Sequence, residues 1–471
     1  MAQETSGAAA AGGEATTLVI PGEMAARIDR LPLSWMQWEL AFIVQAAWAA
    51  MLATDGPALR LYPYIWEPKH LITSSQYSVL YAFEVGIGIL IGGYGMGWLA
   101  DKIGRRNGLM ISAVLAAAFS WPFAYVTNFP ALLVLSIFSS LGVGGVLAIN
   151  VVYMSEMTSV VVRGRVVMGA QVLAIILLEC VFLGIIPHYM VPAHYQAFQW
   201  LLSGVNLIII LPLIFFRVME SPRWLESRER RDEARKIVER MEARVRKSHP
   251  VLPEPNLEPY EVVAEEKTNM FAVFAPQYVV RTVFMLVVFV LLYGGIVYGF
   301  SSYSIVFLSV SRGYSAGFVF SLTAWAGLVA AAFYAINAYF GDRVERRYMV
   351  LAGAILFAGA WFGLYNVHST PAVVVLYIAL ATGEVIFLWN MYAYVPLNFP
   401  TRMRGLGTGW TDGVGHLGAW GGVLLCGQVF TAAAPLGWIL LVTIPGALLP
   451  GVMVGFFGIR QRRRTLEELS R

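Results

Sequence analysis

Long apolar runs alternate with short polar turns along almost the whole chain. Twelve runs reach about 20 residues, the length a helix needs to cross a hydrocarbon layer. The first six cover 35–57, 75–99, 108–127, 131–156, 166–187 and 197–216. The second six cover 280–308, 316–340, 348–366, 371–396, 406–431 and 436–458. A polar stretch separates the sets, helical in composition from Pro222 to Arg246 and extended in its Pro-rich part at 250–259. This pattern predicts an all-α membrane protein with two six-helix bundles, 27–216 and 279–460, joined by a linker at 217–278. The Ala/Gly/Ser/Thr-rich start predicts a disordered tail over 1–26, and a second tail follows at 461–471. No basic segment leads into an apolar core at the start, so a signal peptide is not expected.

Composition supports a membrane setting. Of 471 residues, 58% are hydrophobic and only 13% carry a charge, about half the usual globular share. Mean hydropathy is +0.65. Cys180 and Cys426 lie inside apolar runs and read as packing residues rather than a disulfide or metal pair.

The distribution of charge sets the orientation. With both termini on one side, only Arg60, Lys69 and Arg312 of the 33 Lys and Arg fall in the opposite loops. The positive-inside rule then places the termini, the linker and the turn at Asp101 in the cytoplasm.

That turn carries the clearest motif, Gly97-Trp98-Leu99-Ala100-Asp101-Lys102-Ile103-Gly104-Arg105-Arg106. It is short enough to force its two helices antiparallel, and Gly104 can take the positive φ that a tight turn often needs. A degenerate copy follows at Gly341-Asp342-Arg343-Val344-Glu345-Arg346-Arg347. Tyr153-Met154-Ser155-Glu156 with Arg163-Gly164 likewise has an echo in Tyr394 to Gly405, where Arg404-Gly405 stands at the same offset from Leu397. Paired halves of this kind imply two bundles rocking about a central site.

These motifs resemble those of the major facilitator superfamily of secondary transporters. Together with Glu220-Ser221-Pro222-Arg223-Trp224-Leu225 they resemble its sugar porters, metabolite/proton symporters and organic-ion transporters. The resemblance implies that Gly97, Asp101, Arg105, Arg106, Glu156, Arg163, Glu220 and Arg223 form a conformational gate, pairing carboxylates with arginines across helix ends. It implies the same of Asp342, Arg343, Arg346, Arg347 and Arg404 in the second half. The second half departs from the family in having Leu397 where a glutamate is usual and Glu345 where a glycine is usual. Glu345 is therefore the expected carboxylate for that arginine cluster.

Ionisable residues inside the membrane are costly and usually functional. Here they are Asp55, Glu84, Glu179, Glu384, Asp412 and His416. No Lys or Arg lies at mid-depth, and helices 3, 6, 9 and 12 have no charge in their interiors, so the central cavity reads as acidic apart from one histidine. Asp412 and His416 are four apart, share a helix face and can touch. Deep in helix 10, Trp389 is the aromatic best placed to line a cavity, with Tyr293, Tyr298, Tyr303, Trp325, Trp410 and Trp420 as further candidates. In the resembling family, a helix-11 position matching His416 tends to be acidic in cation carriers and basic in anion carriers. The helix-4 arginine and helix-7 glutamines of typical sugar symporters are missing here.

No nucleotide loop, metal cluster or nucleophile–base set appears, and neither an enzyme, a cofactor nor a nucleic-acid partner is expected. The expectation is a monomeric secondary transporter in the cell membrane, moving a small organic solute by alternating access with proton coupling. A facilitator without coupling and a substrate sensor on the same fold are the alternatives.

Overall fold

The computed structural model describes residues 23–55, 66, 71–126, 128–255, 271–340, 344–399, 404–431 and 439–460. Each of the twelve apolar runs forms a helix close to its expected limits. Span 1 is Trp35–Asp55, span 2 Ser74–Ile103, span 3 Arg105–Ser120 and span 4 Phe129–Met157. Span 5 opens with Val160–Ile175 and reaches Met190, and a kink at His194 (φ −137°) separates it from span 6, His194–Arg217. The second set is span 7 Val279–Ser311, span 8 Ala316–Phe340, span 9 Arg346–Asn366, span 10 Thr370–Tyr394, span 11 Arg404–Thr431 and span 12 Leu440–Phe457.

Nine of these are long and apolar enough to mark a membrane crossing by themselves. Spans 1, 3 and 11 fall short of that mark. Span 3 is only 16 residues of α-helix, span 1 carries Gln37, Glu39 and Gln45, and span 11 contains nine glycines with Asp412 and His416. Their neighbours complete them. The most exposed apolar side chains include Ile208 and Phe216 on span 6, Phe362 on span 9 and Phe456 and Phe457 on span 12. Exposed apolar faces on those spans fit lipid contact and agree with the absence of interior charge there.

The packing repeats itself with an offset of six spans. Span 4 packs on spans 1, 2 and 3, and span 10 packs on spans 7, 8 and 9. Span 1 meets span 5 as span 7 meets span 11, and span 3 meets span 6 as span 9 meets span 12. The two halves join through spans 2 and 11 and through spans 5 and 8, two contacts that exchange under the same offset. The molecule is therefore two pseudo-symmetric six-helix bundles. Close approach of backbones makes this possible. A Cβ on Gly422 of span 11 would sit 2.6 Å from the carbonyl carbon of Gly294 on span 7, so only glycines fit where these helices cross.

One boundary differs from the sequence expectation. The last residues of the tail expected over 1–26 are ordered, because Glu23–Asp29 is a helix that buries Met24, Ala26 and Ile28. Arg27 and Arg30 reach the linker helix Arg231–Val245 and both bond Glu242, Arg27 at 2.8 and 2.9 Å and Arg30 at 2.6 Å. Burial raises the Glu242 carboxyl, but the two guanidiniums outweigh it and hold the group below its ordinary value. The linker thus forms two helices, Pro222–Ser227 and Arg231–Val245, strapped to the first half.

Candidate functional site

At the end of the molecule carrying the basic turns, Gly104 separates spans 2 and 3 with φ 104° and ψ 156°. The positive φ expected there is present. The first backbone amides of span 3 point out of the helix with no carbonyl to accept them. Glu220 supplies the acceptor: its carboxylate takes Arg105 N–H at 2.8 Å, Arg106 N–H at 3.3 Å and Ser221 N–H at 2.9 Å. Burial pushes the Glu220 carboxyl above its ordinary value, against the pull of those three amides.

Around this cap runs a chain of charges. Arg105 pairs with Asp101 one turn before it and with Glu156 of span 4 at 3.1 Å. Arg223 donates to the Glu156 carbonyl at 3.2 Å and to Asp29 at 2.8 Å. The Trp224 indole and the Arg228 guanidinium both donate to the Asp101 carbonyl, at 2.8 and 2.6 Å. Of the residues expected in the first-half gate, Asp101, Arg105, Glu156, Glu220 and Arg223 lie together, with two departures from the expected pairing. Glu220 holds backbone amides rather than an arginine, because the φ at Gly104 turns those amides toward it. The Arg106 side chain turns away from the acids and donates to the Phe215 carbonyl, its guanidinium 5.0 Å from that ring. Gly97 lies in loose contact with Ala148 of span 4.

In the second half, Arg346 donates to the Ala393 carbonyl at 2.9 Å, and Arg347 to the Gly458 carbonyl at 3.2 Å and the Tyr348 hydroxyl. These arginines hold helix ends through backbone oxygens. Glu345 sits half-buried just before span 9. Asp342 and Arg343, and the side chains of Arg163, Leu397 and Arg404, lie outside the described residues.

The intramembrane cluster lies on spans 7, 10 and 11. The Asp412 carboxylate and the hydroxyls of Tyr293 and Tyr392 lie within mutual hydrogen-bond reach, Tyr392 at 2.9 Å from the carboxylate, and the two hydroxyl protons serve two of the three contacts at a time. His416 stacks edge-on against Tyr293 with ring centroids 4.8 Å apart and lies 5.8 Å from the Tyr298 ring. Asp412 and His416 share a face as expected, but the carboxylate does not hold the imidazole. His416 Nδ1 lies 3.0 Å from the backbone oxygen of Asp412. Side chains on a helix lean back toward its N-terminus, which carries the ring onto the preceding turn. The carboxylate is meanwhile occupied by tyrosines from two other spans. His416 is 2% exposed, and its Nε2 has no hydrogen-bond partner among the described residues.

The aromatic wall continues through Trp389, 5.7 Å from Tyr392 and 6.0 Å from Tyr334 of span 8. Glu384 is half-buried on the same span, and Asn390 bonds Asn337 across to span 8 at 3.1 Å. Glu84 is buried in span 2 within a π-helical segment, Phe83–Gly88, a distortion that recurs at functional sites. Two residues on, a Cβ at Gly86 would reach the His416 carbonyl at 3.2 Å, so this segment crosses span 11 beside the cluster. The side chains of Asp55 and Glu179 lie outside the described residues.

The other aromatics separate by role. Trp325 is exposed on the outer face of span 8, Trp410 packs on Phe271 and Phe274, and Trp420 packs on Phe83. Tyr303 locks the end of the molecule opposite the basic turns, its hydroxyl 2.8 Å from Ser78 Oγ of span 2. Sequence reasoning missed Tyr392, Tyr334 and Ser78. Tyr392 stands one helical turn after Trp389, which was the available signal.

Comparison with known proteins follows this geometry. The family profile described as the Major Facilitator Superfamily matches residues 40–419. A putative metabolite transport protein, YyaJ, of Bacillus subtilis is 25% identical over 92% of this chain and 94% of its own length. The niacin transporter NiaP of Acinetobacter baylyi is 24% identical over 95% of this chain and its full length. In fold, the chain is similar to the proton:xylose symporter XylE bound to 6-bromo-6-deoxy-D-glucose, with TM-score 0.66, 18% identity, and coverage of 92% of this chain and 98% of that one.

Proposed function

The chain belongs to the Major Facilitator Superfamily and is a multi-pass secondary transporter, and we propose that it carries a small organic solute together with protons through the Asp412–His416 cluster. The observation that carries this reading is the Asp412 carboxylate set against two tyrosine hydroxyls from different spans, beside a buried histidine nitrogen with no hydrogen-bond partner among the described residues. Tyr293, Tyr298 and Trp389 give flat walls suited to a ring or a planar group. His416 Nε2 is the polar atom that the solute satisfies.

Alternating access supplies the coupling. Asp412 rides on span 11, its donors on spans 7 and 10. All three spans belong to the second bundle, so rocking of the two bundles opens this cluster first to one side of the membrane and then to the other, and the Asp412 carboxylate takes up a proton on the first side and releases it on the second. Glu84 of span 2 and Glu384 of span 10 are the further acids on the spans around this cluster. The gate formed by Asp101, Arg105, Glu156 and Glu220 holds the basic end together in one state and releases it in the other.

The charge asymmetry supports a cytoplasmic position for the basic end, the linker and both termini, in the cell membrane. The fold supports action as a monomer, the transport path lying within one chain. Uptake into proteoliposomes tests the coupling. With Asp412→Asn, solute accumulation driven by a pH gradient should stop while counterflow exchange persists. Accumulation at the wild-type rate would remove Asp412 from the proton path. Counterflow and downhill uptake with no response to a pH gradient in the wild type would favour a facilitator instead.

A further inference from the structure

Two hollows adjoin where span 6 leaves the membrane at the basic end, and neither belongs to the transport path. One, of about 410 Å³, is lined by Arg217, Arg240, Arg244 and Lys247 with Phe216 and Met219. The other, of about 340 Å³, is wholly apolar and lies between spans 3 and 6, lined by Met110, Leu211, Pro212, Phe215 and Phe216. Phe216 is common to both. Leu211 precedes Arg217 by six residues, so the apolar groove runs about 9 Å into the membrane from the basic hollow. Span 6 presents this face outward, with Phe215 and Phe216 exposed.

The charges in the basic hollow are not balanced. Arg217 and Arg244 share a single carboxylate, Glu39 of span 1. The side chains of Arg240 and Lys247 are exposed and make no ion pair among the described residues. Four cations therefore face one acid at the depth where lipid headgroups lie, directly above an apolar groove.

We propose that these hollows bind one anionic phospholipid, its phosphate between Arg240 and Lys247 and an acyl chain along the groove between spans 3 and 6. A free anion would need only the basic hollow, whereas the adjoining groove fits a ligand with both parts. A zwitterionic choline lipid brings its own cation into a cluster of cations and is disfavoured. The site touches the gate at one point and span 1 at another. Phe215 of the groove holds Arg106 through its carbonyl and ring, and Arg217 and Arg244 hold Glu39. This inference rests on the membrane setting and not on the solute or the proton path.

The test uses the full chain in phosphatidylcholine nanodiscs, titrated with a phosphatidylglycerol carrying a quencher on its acyl chain and read by tryptophan fluorescence. Phosphatidylglycerol should bind saturably, and a quencher-bearing phosphatidylcholine should not. The double variant Arg240→Gln/Lys247→Gln should weaken binding about 30-fold, each cation near a membrane surface being worth roughly fivefold. Arg246→Gln, on the same helix but outside the hollow, should change it less than about threefold. Phe216→Ser should weaken phosphatidylglycerol through the groove without altering a charge. Equal binding of both lipids, or indifference to the double variant, overturns the proposal. Displacement by millimolar inorganic phosphate would also overturn it, in favour of a soluble anion.

Discussion

Replacing Gly104 with alanine perturbs the gate at its tightest point. At φ 104° and ψ 156° the backbone lies where essentially only glycine resides, and an L-residue held there costs about 1–3 kcal/mol. The added Cβ would also lie within the Glu220 carboxylate, with Cδ at 2.8 Å. The carboxylate must then withdraw from the amides of Arg105 and Arg106. A hydrogen bond to a charged group contributes about 1.5–3 kcal/mol, so losing even one brings the total to about 2.5–6 kcal/mol. Glu220→Ala alone loses the hydrogen bonds but leaves the backbone relaxed. In the double variant the Cβ has room, so only the backbone cost of the alanine is added. Equilibrium unfolding in mixed micelles should therefore give a coupling of about 1.5–3 kcal/mol in the double-mutant cycle. Strictly additive losses, or wild-type stability of Gly104→Ala, would refute this account of the turn.

Other consequences can be checked separately. Because Glu242 is held below its ordinary value, its stabilisation is complete above the unfolded carboxylate range and lost as pH falls through the lowered value, so acid should expose the Glu23–Asp29 helix to proteolysis and Glu242→Gln should remove that step. Glu220 is raised, so its contribution has the opposite sign: it is full below the unfolded value and declines as pH rises through the folded one, and Glu220→Gln should flatten stability there. Tyr303→Phe removes the bond to Ser78 that ties spans 2 and 7, and should shift the open and closed populations of that end about fivefold, read by spin-label distances. His416→Phe keeps the packing on Tyr293 and Tyr298 but removes Nε2; the solute KM should rise about tenfold with protein yield unchanged, and an unchanged KM would exclude this nitrogen from the site.

The sequence by itself determined the helices and their number. Length and hydropathy of a run are local quantities, and in a bilayer they leave a segment little choice but to span as a helix, since every backbone polar group must bond within it. Even the weakest spans obey this: span 11, with nine glycines and with Asp412 and His416 in its interior, was legible as a run of sufficient length. The duplication was legible too, in the paired turns at Asp101 and Asp342, and the packing of the described spans repeats it. The polar turn also announced Gly104, because a positive φ between two helices is a local demand.

Tertiary structure decided which polar groups meet. The spacing of Asp412 and His416 established a shared face but could not say that tyrosines from spans 7 and 10 would take the carboxylate first. Nor could the run of charges around Arg105 reveal that Glu220, more than a hundred residues away, would hold backbone amides and leave Arg106 to a carbonyl on span 6. The hollow beside Arg240 had no sequence signal at all, since it exists only where the linker helix folds back against span 6. A periodic pattern reports which way a side chain points; its partner depends on where helices cross, and crossings are fixed by packing summed over the whole bundle.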